Sequence, residues 1–344
     1  MKTHIKFPKI QQFRNVVSEI NRKVCFVGLD KDGNPIYDQS ISKPNLTFKG
    51  TVKLHGSNSS VCFNTKDGFW VQSRQNIITV ENDNYDFALF AEKNQFVFMI
   101  FFEEIAKKHN IDLSKFTLSI YGEWAGKGIQ KSVGISEIEK SFFIFGVKVS
   151  NKNDDDFKSF WLPFETLKST ENRIFNVSNF ETYEVAVDFN MPQLAQNTFA
   201  EITQKVEAEC PIAKSFGIKN GLGEGVVWTV SYKGENYRFK VKGEKHSVTK
   251  VKKLASVDIE KLKSITAFVN YAVTKNRFSQ ALENVFGKED IDIKKMGELI
   301  RWLVNDIAAE ETDTLEENNL VAKDVNKYIS LRVRELFFEE MNKF

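Results

Sequence analysis

Leu46-Thr47-Phe48-Lys49-Gly50-Thr51-Val52, followed by Lys53-Leu54-His55-Gly56-Ser57-Asn58, reads as a β-strand that carries a lysine to its end beside a glycine turn. Such a lysine is either a solvated side chain near a turn or a nucleophile. The Lys-x-x-Gly spacing alone does not separate the two, because it recurs at Lys131–Gly134, Lys214–Gly217 and Lys294–Gly297. The residues elsewhere in the chain have to decide.

Outward from this stretch, the text up to about residue 243 reads as short strands and turns. Ser59–Phe63, Gly68–Gln72, Phe116–Tyr121, Phe142–Val149, Gly225–Ser231 and Asn236–Val241 are β-branched or aromatic runs, several of them alternating. Asp-Gly at 32–33 and 67–68 and Lys-Gly at 233–234 mark turns. Two helical stretches interrupt, Phe87–Lys108 and Phe199–Glu209. The mixture predicts an α+β domain with antiparallel sheets and flanking helices. After a basic stretch the period changes to 3.6. Stripes at Leu262–Val273, Ile293–Ile307 and Val321–Phe337 predict three amphipathic helices in a small all-helical C-terminal domain. The expected division is 1–250 and 251–344.

The chain has 344 residues, 42% of them hydrophobic and 27% charged, enough for a sizeable core and long enough for two domains. Lys+Arg number 48 against 46 Asp+Glu, a net +2. That balance conceals a basic run, Arg238–Lys253, and an acidic one, Glu310–Glu317, which reads as a solvated loop. No apolar run approaches the ~20 residues of a membrane span, and MKTHIKFPKI lacks the apolar core of a secretory signal. Three scattered cysteines (Cys25, Cys62, Cys210) and four scattered histidines exclude a disulfide framework and argue against structural zinc. They suit a reducing cytoplasm.

Five further elements follow Lys53 in order. They are Gln72-Ser73-Arg74-Gln75, Tyr121-Gly122-Glu123-Trp124, Phe142-Phe143-Ile144-Phe145-Gly146, Gly223-Glu224-Gly225-Val226-Val227 and Phe239-Lys240-Val241-Lys242. In sequence they resemble motifs I, Ia, III, IIIa, IV and V of the covalent nucleotidyltransferases, the polynucleotide ligases and capping enzymes. His55 stands where capping enzymes and most DNA ligases carry Asp, and the Lys-x-His-Gly-x-Asn form is similar to the RNA ligase 2 family. Comparable stretches extend to Val273–Arg277 and Asn305–Glu310, and no OB-fold barrel follows residue 250. Two positions depart from the family pattern: Val52, where several relatives have Glu near the adenine edge, and Ser57, where phage relatives often have Thr.

That resemblance implies a nucleotidyltransferase domain with a helical RNA-engaging domain. It implies an ATP-dependent RNA ligase that joins 3′-OH and 5′-phosphate RNA ends through a lysyl-AMP intermediate, with nicked duplex RNA as the expected substrate. ATP is the cosubstrate and Mg²⁺, or Mn²⁺, the metal; no membrane and no obligate protein partner are expected. Lys53, His55, Glu123, Lys240 and Lys242 are the implied catalytic residues. Leu54, Asn58, Arg74, Phe145 and Glu224 join them in nucleotide binding, Glu224 and Glu123 at the metal, and Ser57, Arg277, Asp306 and Glu310 at RNA. The chemistry is coherent with these residue types. An amine can attack an α-phosphate and expel pyrophosphate, but a free lysine, with a pKa of ~10.4, is mostly protonated. On a strand, Lys240 and Lys242 share one face and Phe239 and Val241 the other. Two ammonium groups and a metal ion facing Lys53 are expected to favour its neutral form and to bind the phosphates. The alternatives are a DNA ligase, a guanylyl-transferring capping enzyme and a catalytically silent nucleic-acid binder. The His55 motif and the missing barrel oppose the first two, and a retained Lys53 opposes the third.

Overall fold

The computed structural model describes residues 2–38, 41–83, 85–151, 159–168, 172–190, 192–243, 259–287 and 289–341. It divides into two compact units, Met1–Lys245 and His246–Phe344. Among the described residues no helix is long and apolar enough to cross a membrane.

In the first unit α1 (Phe13–Cys25) leads into a small hairpin, β1 (Phe26–Leu29) and β2 (Pro35–Tyr37). Then come β3 (Asn45–Lys53), β4 (Ser57–Asn64), β5 (Gly68–Ser73), β6 (Ile77–Ile78), α2 (Phe87–Lys93), α3 (Gln95–His109) and β7 (Thr117–Ala125). After these follow β8 (Ser141–Ser150), β9 (Phe160–Leu162), β10 (Ile174–Asn176), β11 (Thr182–Asp188), α4 (Gln196–Ala208), α5 (Pro211–Ser215), β12 (Gly225–Tyr232) and β13 (Glu235–Lys242). The strands form a four-stranded antiparallel sheet, β11-β3-β12-β13, and a larger sheet, β10-β8-β7-β4-β5-β6, with β9 paired to β8. The α+β class is as expected from sequence, with one exception to the antiparallel pattern: β10 joins β8 in parallel.

Each sheet packs one face against helices. On the four-stranded sheet Phe48, Val52, Val226, Trp228 and Phe239 pack with Val16 and Ile20 of α1 and Phe199 and Val206 of α4. On the larger sheet Val61, Leu118, Ile120, Phe142 and Ile144 pack against Phe90, Phe98 and Phe102 of α2 and α3. The other faces meet. The Arg238 guanidinium of β13 lies 3.8 Å from the centroid of the Trp161 ring on β9. The expected helix at Phe87–Lys108 is two helices, because the Asn94 amide donates to the Phe90 carbonyl at 2.9 Å and stops the first. The β7–β8 register passes from Tyr121↔Gly146 to Gly122↔Ile144, leaving Phe145 as the extra residue of a bulge.

The second unit contains α6 (Ile259–Ala272), α7 (Lys275–Phe286), α8 (Met296–Glu310), α9 (Thr312–Glu317) and α10 (Ala322–Met341). Its core joins Phe268, Leu299, Leu303, Ile329, Val333 and Phe337. The three stripes fall on α6, α8 and α10, except that Ile293 and Val321 lie before their helices and are half exposed, and the buried Val273 lies just past the end of α6. The acidic stretch is corrected from a loop to the end of α8 and the short helix α9. The stretch 244–253 of the basic run lies outside the described residues.

Candidate active site

Strand pairing brings the motif I lysine to its partners. Gly225 of β12 is paired on one side with Lys53 of β3 and on the other with Lys242 of β13. Gly225 has φ +149°, and a Cβ there would run into the Val241 carbonyl. Only glycine fits, and its bare position leaves room for both lysines to converge. Between them lies Glu224, 3% exposed. Its carboxylate receives Lys53 Nζ at 2.6 Å and Lys242 Nζ at 3.2 Å, with His55 Nδ1 3.6 Å away. Burial pushes the Glu224 carboxyl up, but the charges of Lys53, Lys242 and His55 outweigh it and hold the group far below the usual carboxylate range.

This arrangement corrects one expectation. Lys53 does not face a bare pair of cations; a buried anion stands between it and Lys242. An ion pair at 2.6 Å favours the charged form of both partners, so nucleophilic use of Lys53 requires that this pair be broken first.

The turn from β3 to β4 links the two sheets and brings in the second carboxylate. Gly56 N–H donates to Glu123 Oε1 at 2.9 Å, and a Cβ on Gly56 would meet the Trp124 carbonyl. Glu123 is paired across the β4–β7 ladder with Asn58. Burial pushes its carboxyl up to about 7, with the Glu224 charge adding and Lys53, the Gly56 N–H and Arg74 opposing. The folded value therefore lies above the 4.5 of the unfolded chain. The stability associated with a neutral Glu123 is complete below about pH 4.5 and is lost as pH rises through about 7. Relative to Glu123→Gln, the wild type should lose about 1–3 kcal/mol of stability over that window. Parallel melting curves for the two proteins from pH 4.5 to 8 would contradict this.

The remaining expected residues divide. Lys240 shares its face with Lys242 and is paired with Val227, which is in turn paired with Thr51. Arg74 is exposed at the end of β5, within electrostatic reach of Glu123. Phe142 and Phe143 are wholly buried, whereas Phe145, turned out by the bulge, is only partly so. The Leu54 side chain enters the core at 5% exposed, and its carbonyl accepts Lys53 Nζ at 3.3 Å. Ser57 is paired with Trp124 at the start of β4. Arg277, expected at RNA, is 6% exposed inside the helical unit. Its guanidinium holds Asp306 at 3.1 Å, Glu311 at 2.9 Å and the Ala272 carbonyl at 2.8 Å. Arg277 is thus corrected to the buried centre of an ionic hub with Glu311 and the partly exposed Asp306, and it cannot offer its cation to a phosphate without giving up both ion pairs. Glu310 is half-buried at the end of α8.

Sequence reading gave Trp161 no role, quoted Val227 only within the Gly223–Val227 element, and read Arg238 only as the start of the basic run. Val227 is the apolar side chain between Thr51 and Lys240 on the polar face of β12. The signal for Arg238 was present, since it shares the alternation of Lys240 and Lys242. Burial lowers the Arg238 guanidinium to about 10.

Among the described residues no group of three or more His, Cys, Asp or Glu could cage a metal. Two neighbouring carboxylates, Glu224 and Glu123, are a donor set that fits a hard divalent cation held by one or two carboxylates, water and substrate phosphates.

The family model described as RNA ligase matches residues 47–242, more than half of the chain. The chain belongs to the RNA ligase family. The matched span runs from β3 to Lys242 and so contains every residue placed around Glu224. Similar solved structures include three of the Naegleria gruberi RNA ligase. A mutant with AMP and Mn has 16% identity and TM-score 0.42, and a mutant with ATP and Mn has 16% and 0.43. The form with PPi has 17% and 0.42. Each alignment covers 72% of this chain and 58% of the solved one, so this RNA ligase family member spans under two thirds of their length. No curated protein matches it.

Proposed function

We propose that this protein is an ATP-dependent RNA ligase in which Lys53 is the adenylylated nucleophile, with Glu224, Lys242, Lys240, Glu123 and His55 as its supporting groups. The convergence of Lys53, Lys242 and His55 on one buried carboxylate carries the reading. In the first step Lys53 Nζ, after losing a proton, bonds to the α-phosphorus of ATP, and the bond to the pyrophosphate oxygen breaks. A divalent cation at Glu224 and Glu123 would neutralise charge on the triphosphate. Glu224 holds Lys53 aimed along the strand end. Lys240 and Lys242 lie along one face where developing phosphate charge can be compensated. Phe145 and Val227 supply the apolar surfaces for a base.

The second and third steps follow the family chemistry. AMP passes to an RNA 5′-phosphate, and a 3′-OH then attacks the activated end and releases AMP. Nicked duplex RNA is the proposed substrate, engaged through its phosphates and 2′-OH groups, and 1–250 and 251–344 are proposed as adenylylating and RNA-engaging domains. Surface cations of the helical domain, rather than Arg277, are the proposed phosphate contacts. Incubation with Mg²⁺ and either ATP or GTP, followed by intact mass measurement, tests the reading. The expected result is a mass gain of one AMP and no adduct from GTP. An adduct from GTP alone would move the protein to capping chemistry, and no adduct from either would remove the enzyme.

A further inference from the structure

The N-terminal segment before α1 forms no helix or sheet of its own, yet it is fastened at both ends, and to different sheets. At one end Ile5 is held by the larger sheet. Its N–H donates to Gln72 Oε1 at 3.0 Å, while its carbonyl accepts from Gln72 Nε2 and from the Tyr121 hydroxyl, both at 2.6 Å. At the other end Gln11 is held by the four-stranded sheet. Its N–H donates to the Arg238 carbonyl at 3.2 Å, and it forms a parallel bridge with Phe239 at the free edge of β13. The chain between them therefore crosses from one wall of the cleft to the other.

Phe7 occupies the middle of this crossing. Its ring meets those of Tyr121 at 5.1 Å, Phe145 at 5.3 Å and Trp161 at 5.4 Å, all on the larger sheet. The Arg238 guanidinium from the opposite sheet stacks on Trp161 and lies 6.0 Å from the Phe7 centroid. Phe145 is the ring that the β-bulge leaves only partly buried, and Phe7 braces it nearly perpendicularly, at 74°. Arg238 lies four residues along β13 from Lys242, about 13 Å at ~3.3 Å per residue. The crossing thus closes the cleft at the far end from Lys53, beyond Lys240 and Val227.

We propose that the strap Thr3–Gln12 is the far wall of the nucleotide pocket, and that Phe7 is a positioning residue that fixes Phe145 for stacking on the base. This rests on the adenylylation reading above and assigns that reading a residue outside the matched span 47–242. A ring that braces Phe145 before ATP arrives spares the nucleotide the ordering of its own pocket. Phe7 therefore acts on ATP affinity rather than on the transfer step at Lys53.

The test measures AMP adduct formation by intact mass against ATP concentration for the wild type, Phe7→Ala, Phe7→Leu, Phe7→Tyr and a variant lacking residues 2–8. The loss of one aromatic contact corresponds to about a tenfold change in affinity. Half-saturating ATP should rise about tenfold in Phe7→Ala and further in the truncated protein, with Phe7→Tyr close to wild type. The rate at saturating ATP should change by less than about threefold. Phe7→Leu keeps most of the apolar volume and should stay folded, with a rise of about threefold. Unchanged or lower half-saturating ATP in Phe7→Ala and Phe7→Leu, on a wild type that does form the adduct, would overturn the strap alone; a lower value would mean that Phe7 blocks the base site. An equal loss of saturating rate in all variants would also overturn it. No adduct on the wild type would remove the adenylylation reading and the strap with it.

Discussion

Lys53→Arg should fold like the wild type and form no AMP adduct, a loss of at least about a thousandfold in the first step. The substitution separates the two roles of this side chain. As a cation, Lys53 pairs with Glu224 at 2.6 Å, and a guanidinium, charged at every accessible pH, keeps that pairing. As a nucleophile it must present a neutral amine, which arginine cannot do. Lys53→Ala should also lose the adduct, but it leaves Glu224 with Lys242 as its remaining close lysine and should melt earlier than Lys53→Arg. The pair of variants is read by intact mass after incubation with ATP and by thermal melting. An adduct on Lys53→Arg at a rate near that of the wild type would place the nucleophile elsewhere in the chain.

Much of this site was legible in the sequence because strand alternation is a strict rule. Lys240 and Lys242 on one side of Phe239 and Val241 fix a face, and a lysine at the end of β3 needs only the pairing through Gly225 to meet them. What alternation does not encode is which charge lies nearest to which. The buried position of Glu224 depends on the backbone path at Gly225, a three-dimensional closure that leaves no periodic trace. The same limit explains Arg277. Its helical context was visible, but the inward turn toward Asp306 and Glu311 comes from the packing of α7 against α8, not from local pattern. Helix α1 escaped notice for another reason. Its apolar positions Phe13, Val16, Val17, Ile20 and Val24 do recur at helical spacing, so the signal was present in the sequence, before the first strand that carries a motif. The strap before it has no period at all. It is recognisable only from Ile5 and Gln11 binding different sheets.

Glu224→Gln should destabilise the first unit by about 3–5 kcal/mol, the range for removing one partner of a buried ion pair. Glutamine keeps the shape and can still accept a hydrogen bond. It removes the anion, however, and leaves Lys53 and Lys242 facing each other across a position that is 3% exposed in the wild type. For a unit of this size the melting point should fall by about 6–20 °C. The sign of the pH dependence is opposite to that of Glu123. Glu224 is held far below its unfolded value of 4.5, so its contribution is complete above about pH 4.5 and is lost only as pH falls further. The part of the gap between wild type and Glu224→Gln that comes from the Glu224 charge should narrow in acid, below about pH 4.5. A second substitution tests the cause. Lys242→Met destabilises the wild type but, in the Glu224→Gln background, removes the surplus cation and should restore part of the lost stability; this coupling is measurable as a double-mutant cycle. Glu224→Gln should also lower adduct formation at least about a hundredfold, since no full charge then remains there to hold the metal. A Glu224→Gln protein that melts with the wild type, or additive effects of the two substitutions, would mean that the shared carboxylate does not hold this site together.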